Sequence, residues 1–106
     1  MESREILEQS FNLVARDFGT GELPEKQLSR EFVKSWLTEK IQDLIDHQIE
    51  RLWNILYRID VNENRAREAI SQCEPGELAA ALAEMVLERQ IEKIKTRIQY
   101  SEKKPE

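Results

Sequence analysis

Three groupings of side chains have types and spacings that chemistry could use. Asp43, His47 and Glu50 recur at i, i+4 and i+7, so on one helix two carboxylates and an imidazole would share a face and could meet a metal ion. Four-helix di-metal proteins draw Glu-x-x-His sets from several helices, and His47 is the single histidine here. A solvated charge lattice, with His47 paired to Asp43 and Arg51 following Asp46, accounts for the same residues without a metal. Asp60-Val61-Asn62-Glu63-Asn64 imitates the opening of a calcium loop, with oxygen side chains at its first, third and fifth positions. The imitation fails at Arg65, where a Gly must make the turn, and at Ser71, where a bidentate Glu must close the shell. The same residues have the spacing of a capping box with Asp60 as the cap and Glu63 as its partner, which predicts a helix stop followed by a helix start. Cys73 with His47 is formally a nucleophile and a base, but Cys73 falls at a helix end, where the dipole does not favour a thiolate. It reads as a small buried apolar side chain. The glycines at 19, 21 and 76 match no phosphate-binding spacing. No catalytic residue, metal ligand or cofactor is expected, and the chain reads as a non-enzyme.

One further grouping is basic. Between residues 89 and 104, Arg89, Lys93, Lys95, Arg97, Lys103 and Lys104 face only Glu92 and Glu102. Arg89, Lys93, Lys95 and Arg97 are therefore the candidate anion-binding residues. Cations are also favoured in the last turns of any helix. The whole chain carries 16 Lys+Arg against 21 Asp+Glu, a net charge of −5, which argues against a dedicated nucleic-acid binder because phosphate neutralisation needs a basic footprint.

The elements that must position these residues are helical. A length of 106 residues allows one domain, and 40% apolar with 35% charged residues is a folding composition rather than a disordered one. Eleven Leu and ten Ile against four Val suit helices rather than strands. Leu7, Phe11, Val14 and Phe18 form a first helical stripe, with Ser3 as its cap, Gly19 and Gly21 as its stop and residues 19–23 as a loop. Pro24 suits the first turn of the next helix, with Ser29 an alternative cap. From there to Ile59 neither Gly nor Pro occurs, and Thr38, Ile41, Ile45, Gln48, Leu52, Ile55 and Ile59 keep a 3-4 spacing, which predicts one long second helix. Such a helix, about 45 Å long, either bends near Ser35 or outruns the core of a monomer. A short third helix carries Ala66, Ala69 and Ile70 to about Gln72, and Pro75-Gly76 breaks it before the last helix.

The last helix shows two apolar stripes. With Leu78 at zero, Leu82, Met85 and Val86 lie near it on the wheel, whereas Leu87, Ile91, Ile94 and Ile98 lie about half a turn away. Opposed stripes need two surfaces to cover them, and the overlong second helix suggests that the second surface is another chain. Leu87, Ile91, Ile94 and Ile98 are thus the expected interface of a homodimer, the commonest closed assembly. Trp36, Trp53, Tyr57 and Tyr100 are the aromatics expected to be partly exposed, with core packing favoured over a ligand platform.

Cys73 has no partner for an intramolecular disulfide, the first residues lack a secretion signal, and no apolar run is long enough to span a membrane. The expected location is the cytoplasm, without a membrane partner.

Leu56-Tyr57-Arg58-Ile59-Asp60-Val61-Asn62-Glu63, followed by an Ala/Leu-rich helix ending in Arg89-Gln90 and a Lys/Arg-bearing tail, resembles small uncharacterised all-helical bacterial proteins with an LYRIDVxE segment. The likeness covers roughly residues 37–100 and carries no catalytic signature, so it transfers no functional residue. The expectation from all these readings is an all-α, four-helix bundle-like domain over residues 1–100. Its second and fourth helices are long and antiparallel, and a frayed polar tail follows at 101–106. The expected function is a homodimeric interaction or regulatory module, with an unknown protein as a further partner. The alternative is an anion or nucleic-acid binder working through the basic last helix.

Overall fold

The computed structural model describes residues 4–19 and 29–102. All the regular elements among them are helices: α1 (Arg4–Asp17), α2 (Arg30–His47), α3 (Ile49–Ile59), α4 (Glu63–Gln72) and α5 (Leu78–Glu102). The all-α class is as the composition predicts, with five helices in place of four. Ser3 as a cap, Pro24 in a first turn, residues 20–23 as a loop and 103–106 as a tail all lie outside the described residues. α5 itself continues through 101 and 102, where the tail was expected to begin.

Phe11, Val14 and Phe18 are buried and Leu7 is half-buried, so the first stripe faces the core as its spacing requires. α1 stops where Gly19 adopts φ +73, a left-handed conformation open to Gly. Ser29 caps α2, its hydroxyl accepting from the Phe32 amide at 3.0 Å. The Phe11 ring meets Phe32 and Trp36 edge-on, at centroid distances of 6.0 and 5.2 Å, and ties α1 to the first turns of α2.

The expected long second helix is two helices. It breaks at Gln48, not near Ser35, where φ −148 and ψ 63 take one residue out of the helix while its amide still bonds the Leu44 carbonyl at 2.8 Å. Periodicity could not reveal the break, because the stripe of Val33, Leu37 and Ile41 continues in phase into Leu52, Ile55 and Ile59. The break is spatial in origin: a straight helix of about 45 Å would carry its second half past the core, and turning α3 back returns that half of the stripe to it.

α5 is the hub, touching each of the other four helices. Its two stripes are not opposed faces awaiting separate partners. Ala79, Ala83 and Gln90, all buried, fall between them on the wheel, so the buried positions sweep a continuous arc of about 180° along the helix. α4 and α3 lie along its first half, and α1 and α2 complete the cover. Leu87 and Ile94 have no exposed surface, Ile91 is buried and Ile98 is half-buried. The stripe expected to meet a second chain is consumed by this chain's own core.

The sense of the two long helices also differs from the antiparallel expectation. Arg30, in the first turn of α2, pairs with Glu84 near the start of α5 at 3.5 Å. At the other end of α2, just past the break, the Arg51 guanidinium lies 3.0 Å from where a Cβ on Gly19 would stand. Two residues before Gly19, Asp17 bonds Gln90. α2 therefore travels from the Glu84 level of α5 toward and beyond the Gln90 level, in the same direction as α5.

Candidate functional site

The most distinctive surface lies where α3 turns into α4. α3 buries Leu52, Ile55, Leu56 and Ile59. Its outward row is Ile49, Trp53 and Tyr57, spaced i, i+4, i+8 on one face. Ile49 is 44% exposed and Tyr57 82%, and Trp53 is half-buried between them. Two large side chains facing water on one helix, with Trp53 between them packed partly against the core, make more exposed apolar surface than the usual single scattered residue.

The turn after α3 opens a groove beside this row. Asp60 takes the left-handed conformation at φ 69, ψ 44, and its amide bonds the Leu56 and Tyr57 carbonyls, both at 3.1 Å. The cap of α4 is Asn62, whose Oδ1 accepts from the Arg65 amide at 3.0 Å. The motif thus stops one helix and starts the next, as its spacing predicts. The cap itself falls two residues later than expected, because Asp60 is occupied in ending α3. Between the two helices is a groove of about 470 Å³ with a floor of Leu56, Val61 and Ala66 and a rim of Trp53 and Tyr57. Glu63 and Arg67, on the α4 side, close on each other at 2.7 Å and leave the rim without net charge. Ile70, 41% exposed, continues the line of Ala66 one turn further along α4.

No family model, curated protein or solved structure matches the chain. The groove and its aromatic rim therefore have to be read from their own chemistry.

The four candidate anion-binding residues are not gathered into one site. Arg89, Lys93 and Arg97 follow one another on a face of α5, while Lys95 lies about 200° round the helix from Lys93. Arg89 is held by two carboxylates, Asp60 Oδ2 at 3.2 Å and Glu92 Oε1. Its hollow is lined also by Glu88 and Arg65, so Asp60, Glu88 and Glu92 outnumber the two guanidiniums and leave no cationic excess for an anion. Lys93 is held below the ordinary lysine pKa, chiefly by burial and next by the Arg89 guanidinium, against the opposing pull of Asp17 and Asp60.

The remaining candidates are likewise placed. His47 Nδ1 lies 3.1 Å from the Asp43 carbonyl oxygen and 3.2 Å from Asp43 Oδ1, on an exposed surface. Glu50 belongs to α3, across the Gln48 break, so it does not continue that helical face. Cys73 is half-buried at the end of α4 rather than fully buried. Among the described residues no group of three or more His, Cys, Asp or Glu could hold a metal ion, and no helix is long and apolar enough to cross a membrane. Trp36 is half-buried beneath Lys40, whose Nζ stands 5.7 Å from the ring, whereas Tyr57 and Tyr100 stay in solvent instead of packing into the core.

Proposed function

We propose that the chain is a non-enzymatic helical interaction module of a reducing, cytoplasmic interior, and that its working surface is the α3 row with the adjoining groove. The observation that carries this reading is the exposure of Ile49 and Tyr57 on either side of Trp53, beside a neutral groove with an apolar floor. Tyr and Trp are enriched in the anchors of protein contacts because they bring large area with little rotamer entropy and retain a polar tip. A groove between two helices with aromatic rims suits an amphipathic helix laid across it. Burial of Leu87, Ile91 and Ile94 in the core favours α3 and α4 over α5 for this contact.

Photo-crosslinking in the host cell tests the reading. A photoreactive side chain at Tyr57 is compared with one at Glu39, an exposed position on α2. Adducts formed strongly at Tyr57 and weakly at Glu39 are expected. Equal or absent labelling at the two positions would remove the proposal.

A further inference from the structure

Resting on that reading, we infer that the occupant of the α3 face is a second copy of this chain, paired across a two-fold axis with the two α3 helices antiparallel. The order of residues along the exposed face is self-complementary. Glu50 in the first turn and Arg58 in the last are both exposed, with Asn54 midway between them. Ile49 and Tyr57 have Trp53 midway in the same manner. Each outer pair is separated by about 12 Å, a little over two helical turns.

A two-fold axis beside Trp53 and Asn54 reverses one α3 against the other. It sets Glu50 opposite Arg58 of the second copy and, by the same operation, Arg58 opposite Glu50 of that copy. It also sets Ile49 against Tyr57 of the second copy, with the two Trp53 rings meeting at the centre. An isologous contact demands this self-matching of one patch. A parallel arrangement would set Glu50 beside Glu50 and Arg58 beside Arg58, which like-charge repulsion disfavours. Neither Glu50 nor Arg58 has an ion-pair partner among the described residues, so both charges are free to answer a second copy. The neutral groove rim, with Glu63 already matched to Arg67, adds no like-charge penalty to the approach.

Sedimentation equilibrium of the full chain over a wide concentration range tests the inference, with Glu50→Arg, Arg58→Glu and the double reversal alongside the wild type. All the substituted positions are exposed and helical, and both replacements are good helix formers, so helix content by circular dichroism should stay at the wild-type level. The wild type should equilibrate between one and two chains. Each single reversal replaces two opposite-charge contacts by two like-charge contacts and should weaken the dimer by about tenfold or more. The double reversal restores opposite charges at both places and should return the dissociation constant to within about threefold of the wild type. A mass of 12.5 kDa at every concentration would overturn the inference, as would single reversals without effect or a double reversal as weak as the singles. A foreign adduct at Tyr57 from a chain that stays monomeric would overturn the second copy as occupant and leave the α3 surface reading standing. An absence of adducts at Tyr57 would remove the surface reading itself.

Discussion

Gln90 Nε2 donates to Asp17 Oδ2 across 2.7 Å, joining the middle of α5 to the last turn of α1 inside the protein. Gln90 is 1% exposed and the Asp17 side chain 8%, so the bond links a nearly buried amide to a nearly buried carboxylate. A charge-assisted bond of this kind outweighs a neutral one, and its removal leaves the carboxylate with Arg16 Nη2, 3.7 Å from Oδ1, as its remaining partner. It also explains how a polar residue sits between the two apolar stripes of α5: its donor is used, while Oε1 stays buried without a partner.

Gln90→Met tests that bond while nearly keeping volume. Loss of a hydrogen bond to a charged group costs about 1.5–3 kcal/mol, offset in part because the orphan Oε1 leaves with it. Urea denaturation should show a net loss of about 1–2 kcal/mol. Adding Asp17→Asn should cost less than the sum of the two single changes, since both act on one interaction. Strict additivity would show that the two side chains are energetically independent.

Ile94 and Tyr57 separate the core from the contact surface. Ile94 is 0% exposed, so Ile94→Ala should cost about 2–5 kcal/mol in urea through lost burial and the cavity left behind. It should leave the mass in solution at the wild-type value wherever the variant is folded. Tyr57→Ser, on a residue that reaches into solvent, should alter stability by less than about 0.5 kcal/mol and shift the association equilibrium toward single chains. The reverse pattern would return the interface to α5.

Asn62 and Asp60 distinguish cap from terminator. Asn62→Ala removes the side-chain acceptor for the Arg65 amide and should cost about 1 kcal/mol. Asp60→Gly gives up an exposed pairing with Arg89 but relieves a non-Gly residue of its left-handed backbone, and these small effects oppose each other. Thermal melts should show a lower midpoint for the first variant and a nearly unchanged one for the second. A larger loss at Asp60 would make it the cap after all.

The parts of this fold legible in the sequence are those governed by local chemistry. Phe11 and Val14 on one stripe, Ser29 as a cap, the left-handed Gly19 and the stop at residues 60–63 all follow from spacing and side-chain type. The Gln48 break left no such mark, because it changes the direction of the helix without changing the phase of its stripe. The face of α5 was obscured for a different reason: its large apolar residues alone mark two stripes, and the buried Ala79, Ala83 and Gln90 join them into one face. The α3 surface was half legible. Trp53 and Tyr57 stood out beside the stripe, and in the fold Tyr57 and Ile49 reach solvent while Trp53 packs partly against the core.

Lys93 gives the fold a pH dependence whose direction follows from its surroundings. Burial first, and Arg89 second, hold its pKa below the ordinary 10.5, while Asp17 and Asp60 pull it upward and Arg16 pulls it down. Between the lowered folded value and 10.5 the unfolded chain binds more protons than the folded one, so stability gained from this group rises with pH across that window. Below the window both states carry the proton and the folded chain bears the whole cost of housing it; above 10.5 neither does. Lys93→Met should therefore be more stable than the wild type near neutral pH, by a modest amount because solvent screens much of the ammonium. The gap between the two chains should narrow as pH approaches 10.5. Urea unfolding of both chains at about pH 7 and about pH 10 measures it, since comparison at each pH cancels every titrating group they share. A gap that is constant or widens at alkaline pH would mean that the aliphatic stem, not the charge, decides the energetics at this position.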